Sequence, residues 1–278
     1  AANYFGQPSR KLLLAGVTGT NGKTTVSFII EAIMRAASRK VGVIGTLGHR
    51  YGDVSATGTH TTPDAISLQK TLSEMKEDGV THVVMEVSSH ALAQERVAGV
   101  HFKVAGFTNL SQDHLDYHKD LEEYFVAKSR LFSDVLRKSR ARGRMAIVNI
   151  DDPKGEELLE IWGGKSLRVS VDASSDADVV ALERKLSLTG SELTIKTPKG
   201  VWNLAYPLIG EHNVTNVLVG IGMALAMGFS RARIEKGLKQ LEVIPGRMQR
   251  IGEDDNKHVF VDYAHTPDAL AKVLESLR

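Results

Sequence analysis

The chain has no cysteine among its 278 residues, no excess of one charge and no long apolar run. The lack of cysteine excludes disulfide bonds, thiolate metal sites and a cysteine nucleophile. Lysine and arginine number 35 against 33 acidic residues, and a net charge of +2 predicts no nucleic acid partner and no anionic membrane surface. The apolar segments are too short to span a bilayer, and the N-terminus lacks a signal pattern. We therefore expect a cytoplasmic protein that holds any anionic ligand locally.

The remaining composition is that of a globular α/β protein. With 42% hydrophobic and 24% charged residues, the chain is large enough for one sizeable domain and part of another. Apolar runs predict buried strands at residues 12–17, 41–44, 80–87, 104–107 and 145–150, and helical patterns cover 25–37, 64–77, 121–137 and 154–161. This alternation predicts a mainly parallel sheet flanked by helices, with functional loops at the carboxyl ends of its strands.

The pattern changes between residues 166 and 208, where short alternating segments predict a small antiparallel sheet appended to the core. Helices are predicted at 213–227 and 231–241, before Pro245-Gly246 interrupts the pattern. We place a domain boundary there, with a linker over 1–10, a central domain over 11–245 and the start of a C-terminal domain over 246–278. A strand at 259–263 and a helix at 267–278 cannot close a core alone, which predicts the truncated start of a second α/β domain.

The run TGTNGKTT at residues 18–25 lies between a predicted strand and a predicted helix, as a phosphate-binding loop does. Its glycines let backbone N–H groups approach phosphate, Lys23 reaches the terminal phosphates, and Thr24 offers a hydroxyl to Mg²⁺. The common pattern G-x-x-x-x-G-K-[ST] has glycine where this chain has Val17, with Gly16 and Gly19 on either side. An ordinary glycine-rich turn is the alternative. The pattern favours a nucleoside triphosphate site, with ATP and GTP both open.

Further polar residues follow two other predicted strands. Glu86 ends an apolar strand, where an acid suits Mg²⁺ or, alternatively, caps the next helix. The loop 108–118 carries two carboxylates and two histidines, and each histidine alone is more often a surface or structural residue. Because loops after parallel strands meet at one sheet edge, we expect this loop and Glu86 to share a site. Lys128 lies in the amphipathic stretch 124–132, where the spacing alone indicates a solvated helix lysine.

Seven motifs occur in the order expected of the Mur ligases, and together they resemble that family. They are TGTNGKTT (18–25), HTTPDA (60–65), EVSSH (86–90), TNLSQDHLDYH (108–118), GEHNVTN (210–216), PGRMQ (245–249) and DYAHTPDA (262–269). They look most like the UDP-N-acetylmuramoyl-tripeptide synthetase branch. The resemblance covers nearly the whole chain and depends on the ordered set of motifs, not on the phosphate loop alone.

The resemblance implies a reaction and the residues that support it. ATP would phosphorylate the terminal carboxylate of UDP-N-acetylmuramoyl-L-alanyl-D-glutamate, and the amine of a diamino acid would attack the acyl phosphate to form an amide. The implied nucleotide contacts are Gly19, Thr20, Asn21, Gly22, Lys23, Thr24, Thr25, Asn213, Arg247 and Asp262. The implied catalytic residues are Lys23, Lys128 and His114, and the implied Mg²⁺ ligands are Thr24, Glu86, His114 and Lys128.

In the family, the lysine that matches Lys128 is carbamylated. Because CO₂ reacts with a neutral amine, burial or nearby cations that lower the lysine pKa would favour this carbamate. The positions that match contacts to the muramoyl-peptide substrate are Thr61, Thr62, Ser88, Gln94 and Arg96. A guanidinium such as Arg96 can pair with a carboxylate through two hydrogen bonds, although the sequence alone allows a surface arginine.

The family has three domains, and the chain resembles the middle one with the opening of the third. We therefore expect a monomer that binds ATP but has weak or no ligase turnover. Three alternatives stay open: a folylpolyglutamate synthetase-like ligase, a P-loop GTPase and a non-catalytic nucleotide-binding module. The HTTPDA and SSHALAQER segments favour the muramoyl substrate over a folate, and the sequence contains no N-K-x-D segment that would read guanine. The identity of the added amino acid is not predicted.

Overall fold

The computed structural model describes residues 1–113, 117–252 and 257–277. Its strands are β1 (Leu13–Thr18), β2 (Val41–Gly45), β3 (Gly48–Tyr51), β4 (Val54–Ala56), β5 (His82–Glu86), β6 (Phe102–Phe107), β7 (Met145–Asn149), β8 (Ser166–Ser170), β9 (Val179–Ser187), β10 (Gly190–Thr197), β11 (Gly200–Tyr206), β12 (Gln249–Ile251) and β13 (Val259–Val261). Its α-helices are α1 (Lys23–Ala36), α2 (Ala65–Glu77), α3 (Ser89–Ala93), α4 (Leu121–Arg130), α5 (Gly155–Trp162), α6 (Glu211–Ala226), α7 (Arg231–Lys239) and α8 (Pro267–Glu275). A π-helical segment, Leu131–Leu136, continues α4, so the helix predicted at 121–137 forms with a change of hydrogen-bond pattern after Arg130.

One large sheet runs through the molecule in the order β11-β10-β9-β8-β7-β6-β1-β5-β2-β3-β4. The strands from β9 to β2 in this order pair in parallel, which confirms the predicted mainly parallel α/β sheet. Antiparallel pairs extend it at both edges, through β9-β10-β11 and through β2-β3-β4. The antiparallel strands predicted near residues 166–208 are present, and they continue the main sheet because the start of β9 pairs with β8.

Helices cover both faces of the sheet, as the alternation along β1 requires. Ala15 and Val17 belong to one buried cluster, which α1, α6 and α7 cover, whereas Leu14 belongs to the opposite cluster, which α2, α4 and α5 cover. Apolar residues at helical spacing, such as Ile29 and Ile33 of α1, point into the first cluster. Val17 therefore fills a core position inside a strand, and the phosphate loop begins only after this strand ends.

The central position of β1 brings four loops to one edge of the sheet. β1 lies between β5 and β6, and β2 lies on the far side of β5. Because these strands are parallel, the segments that follow them lie at the same carboxyl edge. These segments are residues 19–22, 46–47, 87–88 and 108–113.

The last part of the chain forms a small separate sheet and one helix. β12 and β13 pair in antiparallel fashion, with Gln249 opposite Val261. The side chain of Thr266 caps α8 by accepting the N–H of Ala269. The strand and helix predicted at 259–263 and 267–278 are therefore present with shorter bounds, and Arg278 lies outside the described residues.

Candidate active site

A cavity of about 280 Å³ lies at the carboxyl edge of the central strands. Residues of the phosphate loop form one wall, and residues from the last part of the chain form the facing wall. The predicted site residues that line it are Thr20, Asn21, Gly22, Lys23, Thr24, Thr25, Thr61, Glu86, Asn213, Arg247 and Asp262. The fold therefore brings most of the predicted nucleotide and metal residues into one cavity.

Two glycines give the phosphate loop its shape. Gly22 caps α1 with φ +87°, and a Cβ there would lie 2.1 Å from Asn216 Oδ1. Gly19 has φ +146°, and a Cβ there would lie 1.9 Å from Thr108 Oγ1. Both positions therefore require glycine. The N-cap residue Gly22 has no side chain to cap α1, and the first residues of this helix, Lys23, Thr24 and Thr25, line the cavity, as in an anion site at a helix N-terminus.

The loop after β6 holds the phosphate loop in place. The N–H groups of Thr20 and Asn21 donate to the backbone and side-chain oxygens of Asn109 at 2.8 Å and 2.9 Å. Thr108 Oγ1 donates to the carbonyl of Asn21 at 2.6 Å, and the N–H of Ser111 donates to Thr20 Oγ1 at 3.0 Å. These contacts join two of the sequence motifs and hold the phosphate loop against the loop after β6.

Lys23 lies across the mouth of the loop. Its Nζ donates to the carbonyls of Gly19 and Thr20 at 2.9 Å and 2.8 Å. Burial lowers the pKa of Lys23, the negative charges of Glu86 and Asp113 oppose this shift, and Arg247 adds to it. The ammonium group is thus held at the place where phosphate oxygens would meet the N-terminus of α1.

Glu86 and Thr24 form a buried oxygen pair beside Lys23. Glu86 is only 1% exposed, and Thr24 Oγ1 donates to its Oε2 at 3.0 Å. No cluster of three or more histidine, cysteine or acidic side chains suited to a metal occurs among the described residues. Mg²⁺ usually needs only one or two protein carboxylates because water and phosphate complete its coordination. The donors present therefore fit Mg²⁺, while His114, the third predicted ligand, lies outside the described residues.

Lys128 is buried, contrary to the solvated position that its spacing indicates. It is 1% exposed, its Nζ donates to the carbonyl of Gly19 at 2.8 Å, and it lies 4.2 Å from the centre of the Tyr124 ring. The interpretation from spacing was wrong because the buried face of α4 packs against the phosphate loop. Burial lowers the pKa of Lys128 well below its usual value, Lys23 lowers it further, and Asp113 opposes the shift.

The residues predicted to contact a peptide substrate form a hydrogen-bonded chain beside the cavity. Thr62 Oγ1 donates to the carbonyl of Glu86 at 2.9 Å and accepts the N–H of Ser88 at 3.0 Å. Arg96 donates to the carbonyl of Thr62 at 2.8 Å and to Gln94 Oε1 at 2.9 Å. These contacts place Thr62, Ser88, Gln94 and Arg96 around the end of β5. The hydroxyl of Thr61 lies 3.1 Å from that of Thr46, and Thr61 is the member of this group that lines the cavity.

Asn213, Arg247 and Asp262 line the cavity in different ways. Asn213 accepts a hydrogen bond from Asn216 at 2.9 Å, and Asn216 in turn packs on Gly22. Arg247 Nη2 donates to Thr24 Oγ1 at 3.4 Å, which joins the last part of the chain to the phosphate loop. The two carboxylate oxygens of Asp262 accept the N–H groups of Met248 and Ala264, at 2.7 Å and 2.8 Å.

Sequence reasoning did not select several residues that form this site. Asn109, Asp113, His212, Asn216 and Tyr263 line the cavity, and all of them lie inside the motifs that were recognised. Thr46 also lines it but lies outside every motif. A signal for Thr46 was its place two residues after the strand predicted at 41–44.

Comparison with known proteins identifies the family. The profile of the Mur ligase middle domain matches residues 17–224, and that of the "Mur ligase, glutamate ligase domain" matches residues 246–278. The chain belongs to the Mur ligase family. A UDP-N-acetylmuramoyl-L-alanyl-D-glutamate–2,6-diaminopimelate ligase of Gloeobacter violaceus is 44% identical over 100% of this chain and 55% of its own length. A Pseudomonas aeruginosa protein of the same name is 42% identical over 100% of this chain and 56% of its own.

Solved structures agree with this assignment. The structure of a UDP-N-acetylmuramoyl-L-alanyl-D-glutamate–2,6-diaminopimelate ligase matches 96% of this Mur ligase chain and 53% of its own, with a TM-score of 0.82 and 35% identity. A folylpolyglutamate synthase of Mycobacterium tuberculosis has a TM-score of 0.79 at 19% identity, covering 99% of this chain and 68% of its own, which shows a shared fold alone. The chain spans about half the length of the ligases that it matches in sequence, 55% and 56% for the two above. Within the described residues, no helix has the length and apolarity needed to cross a membrane.

Proposed function

We propose that this chain carries the ATP-binding and catalytic core of a ligase that adds a diamino acid to UDP-N-acetylmuramoyl-L-alanyl-D-glutamate. The observation that carries the proposal is the single cavity in which the phosphate loop, Lys23, the buried Glu86–Thr24 pair and Thr61 meet. The names of the relatives that align along the whole chain support the choice of substrate. The reaction is ATP-dependent peptide bond formation in peptidoglycan synthesis.

The chemistry must bring two anions together, and the cationic groups of the cavity suit that task. In our proposal, Lys23 and the N-terminus of α1 hold the terminal phosphates of ATP. Arg247, which reaches Thr24 at 3.4 Å, adds positive charge from the opposite wall. The substrate carboxylate attacks the γ-phosphorus and ADP leaves. The amine of the diamino acid then attacks the acyl carbon and displaces phosphate, which leaves an amide.

The protein ligands proposed for Mg²⁺ are Thr24 and Glu86, with His114 and a carbamylated Lys128 added by the resemblance. When bound, Mg²⁺ would neutralise charge on the phosphate oxygens as the phosphoryl group transfers. Burial of Lys128 and its lowered pKa support the carbamate, because the neutral amine is the form that reacts with CO₂. Lys128 would then present oxygen atoms instead of an ammonium group.

The peptide substrate is proposed to lie at the end of β5. Thr61, Thr62, Ser88, Gln94 and Arg96 surround this position, and Arg96 is the group suited to a carboxylate. Thr61 reaches the nucleotide cavity, so this arrangement allows the substrate carboxylate to approach the γ-phosphate.

The organisation proposed for the chain follows its two family matches. We propose that residues 11–245 form the central ATP-binding domain, residues 246–278 the start of the C-terminal ligase domain and residues 1–10 a linker; the matches over 17–224 and 246–278 support the first two parts. We further propose that the protein acts as a monomer in the cytoplasm, on soluble substrates, without a nucleic acid or membrane partner.

Trapping of the acyl phosphate tests this function against the folylpolyglutamate alternative. The protein is incubated with Mg·ATP and hydroxylamine, together with either UDP-N-acetylmuramoyl-L-alanyl-D-glutamate or a folate. Because weak turnover is expected of this chain, we expect a low, ATP-dependent yield of the muramoyl-dipeptide hydroxamate and no folate hydroxamate. A folate hydroxamate alone would contradict the proposed substrate, and ATP binding without either hydroxamate would favour a non-catalytic module.

A further inference from the structure

Thr46, the residue that follows β2, lies between the proposed metal ligand Glu86 and the proposed substrate residue Thr61. We propose that Thr46 is a positioning residue that holds the Glu86 carboxylate in the orientation that binds Mg²⁺ and connects it to the substrate side of the site. This inference rests on the proposed function, because it assigns Glu86 to the metal.

Thr46 binds both oxygens of the Glu86 carboxylate. Its backbone N–H donates to Oε1 at 3.0 Å, and its hydroxyl donates to Oε2 at 2.9 Å. The remaining bond to Oε2 comes from Thr24 at 3.0 Å. A carboxylate held by two donors from one residue has little freedom to rotate, so Thr46 sets the direction in which Glu86 presents its free lone pairs.

The residue before Thr46 allows this close approach. A Cβ on Gly45 would lie 2.2 Å from Glu86 Oε1, so any larger side chain there would displace the carboxylate. The end of β2 thus leaves space for the carboxylate at Gly45, and Thr46 supplies two of its donors. Gly45 and Thr46 are adjacent, so the end of β2 both accommodates and orients the Glu86 carboxylate.

The hydrogen-bond chain from Thr46 has a direction. Oε2 of the carboxylate can only accept, so the single hydroxyl proton of Thr46 is used toward Glu86. The hydroxyl of Thr61, 3.1 Å from that of Thr46, must then be the donor in their contact. The oxygen of Thr61 keeps its lone pairs for a ligand. We therefore expect Thr61 to accept a hydrogen bond from an N–H or O–H group of the peptide substrate.

Thr46 is not needed to fill the core. It is exposed and lines the cavity, whereas Glu86 is 1% exposed. Loss of its hydroxyl should therefore alter the orientation of Glu86 with little effect on folding. This difference separates a positioning role from a structural one.

The test compares Thr46→Val, which keeps the shape and the backbone N–H, with Thr46→Ser, which keeps the hydroxyl. Mn²⁺ serves as the probe, and electron paramagnetic resonance measures its affinity for protein saturated with a non-hydrolysable ATP analogue. Thr46→Val should weaken Mn²⁺ binding about 10-fold, the lower end of the range for groups that orient metal ligands, and Thr46→Ser should restore it. Thermal unfolding of each variant without metal should match that of the wild type.

Thr194→Val is the matched control. Thr194 also donates its hydroxyl proton to a carboxylate, that of Glu183 at 3.3 Å, but this pair lies on the antiparallel edge of the sheet. It should leave Mn²⁺ affinity unchanged. Wild-type affinity in Thr46→Val would overturn the inference and leave the proposed function intact. Failure of the wild type itself to bind Mn²⁺ with the nucleotide would instead contradict the metal site of the proposed function, and this inference with it. If Thr46→Val does not fold, Thr46→Ala is measured instead, and it should likewise weaken Mn²⁺ binding about 10-fold and leave thermal unfolding without metal unchanged.

Discussion

At the scale of single residues, the glycines of the phosphate loop differ from some glycines elsewhere in how closely other atoms approach them. Gly22 combines φ +87° with a Cβ position 2.1 Å from Asn216 Oδ1. Gly200, the first residue of β11, has φ +105° but open space around it. A side chain at Gly200 would meet backbone strain alone, whereas a side chain at Gly22 would meet backbone strain and a steric clash.

Gly22→Ala should weaken nucleotide binding by at least about 10-fold. The added methyl group would have to displace Asn216 and would shift the phosphate loop with it. This steric cost adds to the ~1–2 kcal/mol that a left-handed backbone conformation costs alanine. Calorimetric titration with an ATP analogue measures the loss. Gly200→Ala is the control and should lower thermal stability while it leaves nucleotide affinity unchanged. Equal nucleotide affinity in Gly22→Ala and the wild type would show that the observed loop geometry is not the binding geometry.

Individual residues also mark the limit of what the sequence predicts. Lys23, Thr24 and Glu86 were recognisable because each lies at or after the end of a strand within a motif, and parallel strands bring such positions together. The burial of Lys128 was not predictable from helical spacing, since it depends on how α4 packs against the loop at Gly19. Thr46 was missed because its role depends on a contact with Glu86, 40 residues away in the chain.

At the scale of elements, helix α2 begins next to the proposed substrate residues and depends on one cap. Asp64 accepts the N–H groups of Ile66 and Ser67 at 2.9 Å and 3.0 Å. Hydrogen bonds from Ser67 and Ile66 lower the pKa of Asp64. The start of α2 follows Thr61 and Thr62 directly, so the cap also fixes their end of the loop.

Asp64→Ala should lower the free energy of unfolding by about 1 kcal/mol at neutral pH, because two N–H groups lose their acceptor. The folded-state pKa is lowered, so this contribution is present above the unfolded pKa and is lost as the pH falls through the folded value. Urea unfolding at neutral and strongly acidic pH measures the difference. Asp64→Asn, which keeps the acceptor, should recover most of the stability, and an equal loss in both variants would contradict capping.

The elements themselves were largely predictable. The sequence signals for β1, β5 and β7 are strong, because these strands are buried on both faces of the sheet and read as apolar runs. The signal for α1 is also strong, because its apolar residues recur along the one face that packs on the sheet. The edge strands β3 and β4 were not predicted, since they are short and their burial is partial. The continuity of β9 with the main sheet depends on pairing at Val179 and Val180, which local alternation does not reveal.

At the scale of the whole molecule, the cavity is closed by residues far apart in the chain. Arg247 reaches Thr24, and Asp262 holds the backbone at Met248 and Ala264. Arg247 therefore joins the last part of the chain to the phosphate loop, and Asp262 accepts the N–H of the next residue, Met248. We propose that this arrangement couples nucleotide binding to domain closure.

Arg247→Ala should reduce the affinity for Mg·ATP about 10-fold, since it removes a cation beside the phosphates, and Asp262→Ala should act in the same direction through the displaced turn. Nucleotide titration and phosphate release measure binding and turnover. Arg250→Ala, also in this part of the chain but not among the residues that line the cavity, is the control. Unchanged affinity and turnover in both Arg247→Ala and Asp262→Ala would exclude the coupling.

The central claim is that the cavity binds Mg·ATP through the phosphate loop. Calorimetric titration of this chain with Mg²⁺ and a non-hydrolysable ATP analogue, beside the GTP analogue and Lys23→Ala, tests it most directly. We predict saturable binding that is selective for the ATP analogue and is lost in Lys23→Ala. Absence of binding in the wild type, or equal binding in Lys23→Ala, would contradict the assignment of the phosphate loop.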